Sequence, residues 1–478
     1  MSTVSHRLLR AGVLNLPRPS PGCKTITENL LLKDAQAHHC FFRATGLHNH
    51  LSHHILAAYD LGATPALLQK IYDDEASDQR PIVLEEQDKE IKVTADSWKQ
   101  YVGNQNAYSG FFEFFQECIK ADGVPTTLGE YIFSPAANES GTNMLARLMS
   151  GAVHPFIQIG YGLEFENDLL VATGLAQTAV TNPRSTVIFE YKPNSSTIPN
   201  GKPTGGPSVL ELLREVYESP KLKPPPYDSS ALISTRLENA LRDGGAEEVQ
   251  RISSKLQISE SEINSKIEEY IWTVTLLLFA TGKEGRKPRL DFFLMHLVTS
   301  SIFLESYIRV LEDPKQKAAV LRAYLPVVIS LVLARGRPKI NADLIMNASD
   351  KVRPPFPVEA SYKNDSTSIG NPTRDDDYNP WPAFIETSLY APDSHVLKTM
   401  RTLIYAAREY GDTPAGGVPG TETDGSETHP GVKKMDGSLF VRAAGVLMNY
   451  MGWTVHGQPA GSWDRSALGW EEAWFNEE

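Results

Sequence analysis

Residues 289–308 read RLDFFLMHLVTSSIFLESYI. Wound as a helix, this stretch puts apolar side chains on nearly every side, and no strand-like alternation runs through it. Such a helix has to be buried all round, in a large helical core or in a membrane. The neighbouring apolar runs decide between the two. IWTVTLLLFA at 271–280 and AYLPVVISLVLA at 323–334 are the longest in the chain. Both fall short of the roughly 20 residues that cross a bilayer, and the second contains Pro326. They read as core helices, and no membrane partner is expected.

Helical signals continue outward from this centre. After Thr64 and Pro65, ALLQKIYDD sets Leu67, Leu68 and Ile71 on one side. GFFEFFQECIKADG at 110–123 is expected to stop at Gly123, and residues 139–180 to form two or three helices. The first of these ends near Ser150–Gly151, and the next starts at Pro155, a residue favoured in a first turn. A long helical stretch is expected from Ala231 to about Arg335. SLFVRAAGVLM at 438–448 is readable as helix or strand. Pro, Gly and Ser mark loop-rich insertions at 193–230, 353–381 and 411–438, the first interrupted by one short helix, SVLELLREVYES. Residues 1–30 read as an N-terminal extension without the apolar core of a signal peptide. The fold expected is mainly α, one large helical domain over residues 1–478.

Forty-six basic against 58 acidic side chains give a net charge of −12, with no basic run to track a phosphate backbone, so nucleic acid is not an expected partner. Three cysteines, Cys23, Cys40 and Cys118, form neither an even set nor a CxxC pair. A disulfide framework or thiolate zinc site is not expected, and a reducing, cytoplasmic setting fits. The oligomeric state is not legible.

Histidine is where chemistry concentrates. Four of the chain's twelve histidines, His48, His50, His53 and His54, lie within LHNHLSHHILAAYDLGA at 47–63. Read as a helix, residues 47, 50, 51, 54, 55 and 58 share a side, so His50 and His54 face the core and His48 and His53 the flanks. An i, i+4 histidine pair can bind a metal, but hydrogen-bonded packing explains it equally well. His154 precedes Pro155, which pushes its backbone extended at the mouth of a helix. His296 lies in the all-apolar helix, where a buried imidazole has to find a partner or stay neutral, the form that also binds metals. His395 follows a helix start at Pro392–Ser394, with Lys398 one turn on along the same face. Such a lysine is ordinarily a solvated charge. His6, His38, His39, His429 and His456 sit in polar or loop contexts and receive no role. Core-facing histidines on separate helices are the material from which helical proteins build metal centres.

HNHLSHHILAAYDLGA, GAVHPFIQIGYGLEF, LDFFLMHLVTSS and DSHVLKTMRTLIYA, in this order, resemble the questin oxidase-like family, over about residues 40–460. The resemblance implies an oxygenase of fungal secondary metabolism. Its reaction opens a ring of a hydroxyanthraquinone-type polyketide by cleaving a carbon–carbon bond, in a Baeyer–Villiger-like or dioxygenase-type reaction with O2 and with NADPH as a candidate reductant. The family pattern retains His50, His154, His296, His395 and Lys398. His53 and His54 look like a feature of the fungal branch, so His50 is preferred as the ligand and His54 as a group behind it. Four imidazoles suit iron, copper, nickel or zinc by ligand type, and the oxygen chemistry that the resemblance implies selects a non-haem iron(II) as the expected ion. Because no nearby Asp or Glu is an obvious anion, Lys398 is a candidate carbamate ligand, formed from its amine and carbon dioxide. Three other readings stand beside this one. An NADPH- and flavin-dependent Baeyer–Villiger monooxygenase would ordinarily carry a GxGxxG fingerprint, which is missing. A metal-dependent hydrolase would ordinarily add an Asp ligand on a barrel strand. A helical scaffold would have histidines that are merely packed.

Overall fold

The computed structural model describes residues 4–183, 185–189, 206–355 and 365–475. It is mainly α, and the one two-stranded ribbon among the described residues pairs Glu422–Thr423 with Ser426–Glu427 inside the third insertion. The ambiguous stretch at 438–448 belongs to helix Leu439–Met451.

The centre of the molecule is a pair of helices, His154–Phe165 and Asp168–Val180, the first buried at every residue. Asn167 starts the second by accepting from the Leu170 amide at 3.0 Å. Their close approach depends on glycine. A Cβ on Gly174 would lie 2.5 Å from Ile159 Cγ1, and one on Gly162 would lie 2.7 Å from the Val171 amide nitrogen. Helices Leu51–Asp60, Phe292–Ser301 and Ser394–Tyr410 meet this pair or each other at one end.

Residues 289–308 are two helices rather than one, Phe292–Ser301 and Leu304–Val310. Asp291 opens the first by accepting from the Phe293 and Leu294 amides, and its other oxygen takes Arg335 Nε at 2.6 Å. The stretch from Ala231 to Arg335 likewise divides, into six helices from Ile233–Ala240 to Pro314–Ala334. Tertiary packing sets these breaks, and an apolar pattern continuous across a turn does not show them. Gly123 does end its helix, with φ 79° before Pro125. Pro314–Ala334 is long and apolar enough to cross a membrane, at mean hydropathy 1.8, yet 89% of that window is buried within the fold.

Residues 4–21 strap across the core, the Leu16 amide donating to Asp60 O at 2.9 Å and the Arg10 amide to Phe165 O at 3.1 Å. Helix Gly22–Ala37 begins within the expected N-terminal extension. Of the insertions, residues 193–205 and 356–364 lie outside the described residues, and the short helix of the first is Val209–Glu218, capped by Ser208. The third is packed down through Val418, Thr421, His429 and Val432, all buried.

Candidate metal centre

Helix Leu51–Asp60 starts one turn later than the histidine spacing suggests. His50 is its N-cap residue, and Leu47, expected on the core face, is 54% exposed. The helical phase therefore does not apply to residues 47–50. His48 and His53, expected on the flanks, are buried, because the helix is enclosed on every side. His154 opens its own helix rather than preceding it extended. The tight turn lies just before, where Gly151, Ala152 and Val153 all have left-handed φ, at 59°, 51° and 58°. For Ala and β-branched Val this conformation costs about 1–3 kcal/mol each. It turns the Gly151 carbonyl back onto the His154 ring, where it accepts from Nδ1 at 2.6 Å.

Two of the other three rings are held the same way. His296 Nδ1 donates to the Phe292 carbonyl at 2.8 Å, one turn back in its own helix. His395 Nδ1 donates to Asp393 Oδ1 at 2.7 Å, and the same carboxylate accepts the His395 amide at 2.8 Å. A carbonyl or carboxylate oxygen only accepts, so in all three rings the proton sits on Nδ1 and the lone pair on Nε2, that of His154 accepting from His50 Nε2. Those lone pairs face one another. One nitrogen each from His50, His154, His296 and His395 lies within 4.8 Å of all the others, and His50 Nε2 is 2.8 Å from His154 Nε2. The rings form a closed circuit: centroid separations are 4.8 Å for His50–His154, 4.9 Å for His154–His296, 5.0 Å for His296–His395 and 4.7 Å for His395–His50.

Buried Nε2 atoms of His296 and His395 have no hydrogen-bond partner among the described residues. Burial, reinforced by neighbouring imidazoles and the Lys398 charge, pushes His50, His154 and His296 well below 6.5 and His395 down to about 4. The set is therefore neutral and rich in lone pairs, which suits a transition-metal cation. At metal–nitrogen bonds of about 2.1 Å, ligand nitrogens around one ion stand roughly 3–4 Å apart, a spacing these rings reach with small shifts.

Lys398 is not a solvated charge. It is 2% exposed, and Nζ has no hydrogen-bond partner among the described residues. Burial lowers its amine to about 8, against the pull of Asp393 and Glu75. His54 stands outside the four-nitrogen group, with Nδ1 2.9 Å from Glu75 Oε1. No carboxylate belongs to that group, although Asp393, read from the sequence as a helix start, orients one member from behind.

Sequence reasoning missed three supports. His48 stacks on His154 at 4.5 Å and lies where a Gly151 side chain would go. His53 stacks on Tyr161 at 5.2 Å. Arg401, one turn beyond Lys398, donates to Asp60 at 2.8 Å and also binds Glu164, tying three of the site helices together.

The family model described as Questin oxidase-like matches residues 47–403, a narrower span than the motifs suggested. A Baeyer-Villiger monooxygenase of Cryptosporiopsis sp. (strain 8999) is 32% identical over 305 residues, 62% of this chain and 66% of that protein. The questin oxidase of Aspergillus fumigatus is 28% identical over 330 residues, 67% of this chain and 73% of that protein. A Baeyer-Villiger oxidase of Paecilomyces divaricatus is 30% identical over 312 residues, 62% and 65% of the two chains. The chain thus spans a little under two thirds of the first and last of these relatives. All four histidines and Lys398 lie inside the matched segment. The chain belongs to the questin oxidase-like family.

Proposed function

We propose that this protein is an oxygenase that cleaves a ring carbon–carbon bond of a hydroxyanthraquinone-type polyketide in fungal secondary metabolism. The reaction takes place at a non-haem iron(II) held by His50, His154, His296 and His395. The observation that carries the reading is the convergence of four imidazole nitrogens, two of them buried without a partner. A packed scaffold would have satisfied those atoms. Iron supplies oxygen activation when bound, and O2 is the co-substrate. In a Baeyer–Villiger-type reaction one oxygen atom enters beside the quinone carbonyl and the other leaves as water, taking two electrons from NADPH. In a dioxygenase-type reaction both atoms enter the product and no external reductant is consumed.

The chain's own residues have distinct tasks in this scheme. Gly151, Phe292 and Asp393 hold three rings in the tautomer that presents Nε2. Lys398 as a carbamate would supply the anion that four neutral imidazoles lack, and its lowered amine eases reaction with carbon dioxide. The compartment proposed is the cytoplasm.

The test is elemental analysis of protein purified without oxygen or chelator, beside His296→Ala. About one equivalent of iron, lost in the variant while helicity is retained, is the expected result, followed by turnover of a hydroxyanthraquinone under oxygen. Stoichiometric zinc with hydrolytic activity would replace the reading with a hydrolase. Absence of any metal would replace it with the scaffold.

A further inference from the structure

Phe292 stands edge-on to two of the four imidazoles, with ring centroids 4.9 Å from His296 and 5.3 Å from His395. Its ring is only partly buried, so it reaches from the nitrogen group toward solvent. Over it lies Arg465, with the guanidinium carbon 3.6 Å from the ring centroid. The chain at this point is built to hold that side chain there. Phe292 N donates to Asp464 O and Asp464 N donates to Leu290 O, both at 2.8 Å, so the segment around Asp464 runs beside the start of the His296 helix. Asp464 is itself pinned by Arg289 Nε at 2.9 Å and by the Ser466 amide at 2.8 Å.

The Arg465 guanidinium has no hydrogen bond or ion pair among the described residues. The nearest carboxylates whose charge it senses are Asp393, already engaged by His395, and Asp291, already engaged by Arg335. The planar donors of this exposed arginine thus face solvent, one aromatic ring away from the candidate metal ligands. Arginine is the side chain best suited to grip a carboxylate or phenolate lying against an aromatic face.

We infer that Phe292 and Arg465 form the substrate-recognising edge of the site: the flat substrate lies beside Phe292, one face of which Arg465 covers, and a carboxylate on its rim is bound by Arg465. The inference rests on the proposal above that the substrate is a hydroxylated aromatic. Family membership does not assign the role, because Arg465 lies beyond residue 403, where the family model ends.

The experiment is an anaerobic titration, with no reductant, that follows the visible absorption of a hydroxyanthraquinone carboxylic acid and of its methyl ester. Wild-type protein, Arg465→Gln and Arg465→Lys are compared, with iron content and melting temperature measured alongside. A charge-assisted contact of this kind corresponds to about one power of ten in affinity. Arg465→Gln is therefore expected to bind the acid about tenfold more weakly, to bind the ester nearly unchanged, and to keep its iron and its melting temperature. Arg465→Lys should recover part of the loss. Equal binding of the acid by wild type and Arg465→Gln, or equal weakening of acid and ester, would overturn the inference and leave the proposed function standing. Wild-type protein that binds neither compound would overturn both.

Discussion

At the scale of single residues, the decisive atom is Lys398 Nζ, buried beside four imidazoles with no hydrogen-bond partner among the described residues. As an ammonium it would repel a metal ion and lower the affinity of the whole set. As a carbamate it would neutralise part of the ion's charge. A zinc-loaded sample, chosen because it is diamagnetic, equilibrated with 13C-bicarbonate should show a carbamate carbon resonance. Lys398→Met should lack that resonance and hold metal at least about tenfold more weakly, as loss of an anionic ligand requires. A metal-loaded wild type without the resonance would return Lys398 to the role of a cation. His50, His154, His296, His395 and Lys398 were singled out through the family resemblance, since the residues alone left His50 level with His54 and Lys398 as a solvated charge. Asp393 was legible only as a helix cap, since its second task depends on a ring rotamer. His48 was misplaced because the helix starts only at Leu51, and His53 because that helix is buried at every residue, so no flank faces solvent.

At the scale of elements, apolar periodicity revealed the helices but not their breaks. Continuous apolar sequence looks the same whether the chain runs on or turns within the core, as it does between Ser301 and Leu304. What the pattern also hid is how closely the two central helices approach. Gly174 faces both Ile159 Cγ1 at 2.5 Å and the Ile159 amide nitrogen at 2.8 Å, measured from where a Cβ would stand. A flexible side chain could move aside, but a backbone nitrogen moves only with its helix. Gly174→Ala is therefore expected to destabilise the protein by about 1–3 kcal/mol. It should also shift the helix that begins at His154 and weaken metal retention. Urea unfolding and metal analysis of the purified variant check both effects. Gly282→Ala, where the nearest atom is 3.9 Å away, is the comparison. Wild-type stability and metal content in Gly174→Ala would show that the helix pair yields without disturbing the site.

At the scale of the whole molecule, burial of histidine couples the fold to pH. Burial is the largest cause holding His39, His48, His50, His53, His154, His296, His395 and His429 below the ordinary value of 6.5, with His39, His395 and His429 at about 4 and His48 at about 3. A group depressed in the fold contributes stability that is present above its unfolded pKa and lost as pH falls toward the folded one. The window is therefore about 6.5 down to about 4, and within it each such group removes about 1.4 kcal/mol per pH unit. Burial raises Glu164, Asp168 and Asp291, which stabilise the fold as pH falls and so oppose this trend, but they are three against eight. Several protons taken up together exceed a domain stability of about 5–15 kcal/mol within one or two pH units. Chelator-treated protein is therefore expected to lose its helical circular dichroism between about pH 6.5 and pH 5. Metal-loaded protein should unfold at lower pH, because protons then compete with the ion for four of the eight rings. The midpoint should not fall without limit, since His39, His48, His53 and His429 lie outside the nitrogen group and still take up protons. A chelator-treated protein fully helical at pH 4.5 would mean that these rings are hydrated rather than buried. The same midpoint with and without metal would mean that the four nitrogens do not bind the ion.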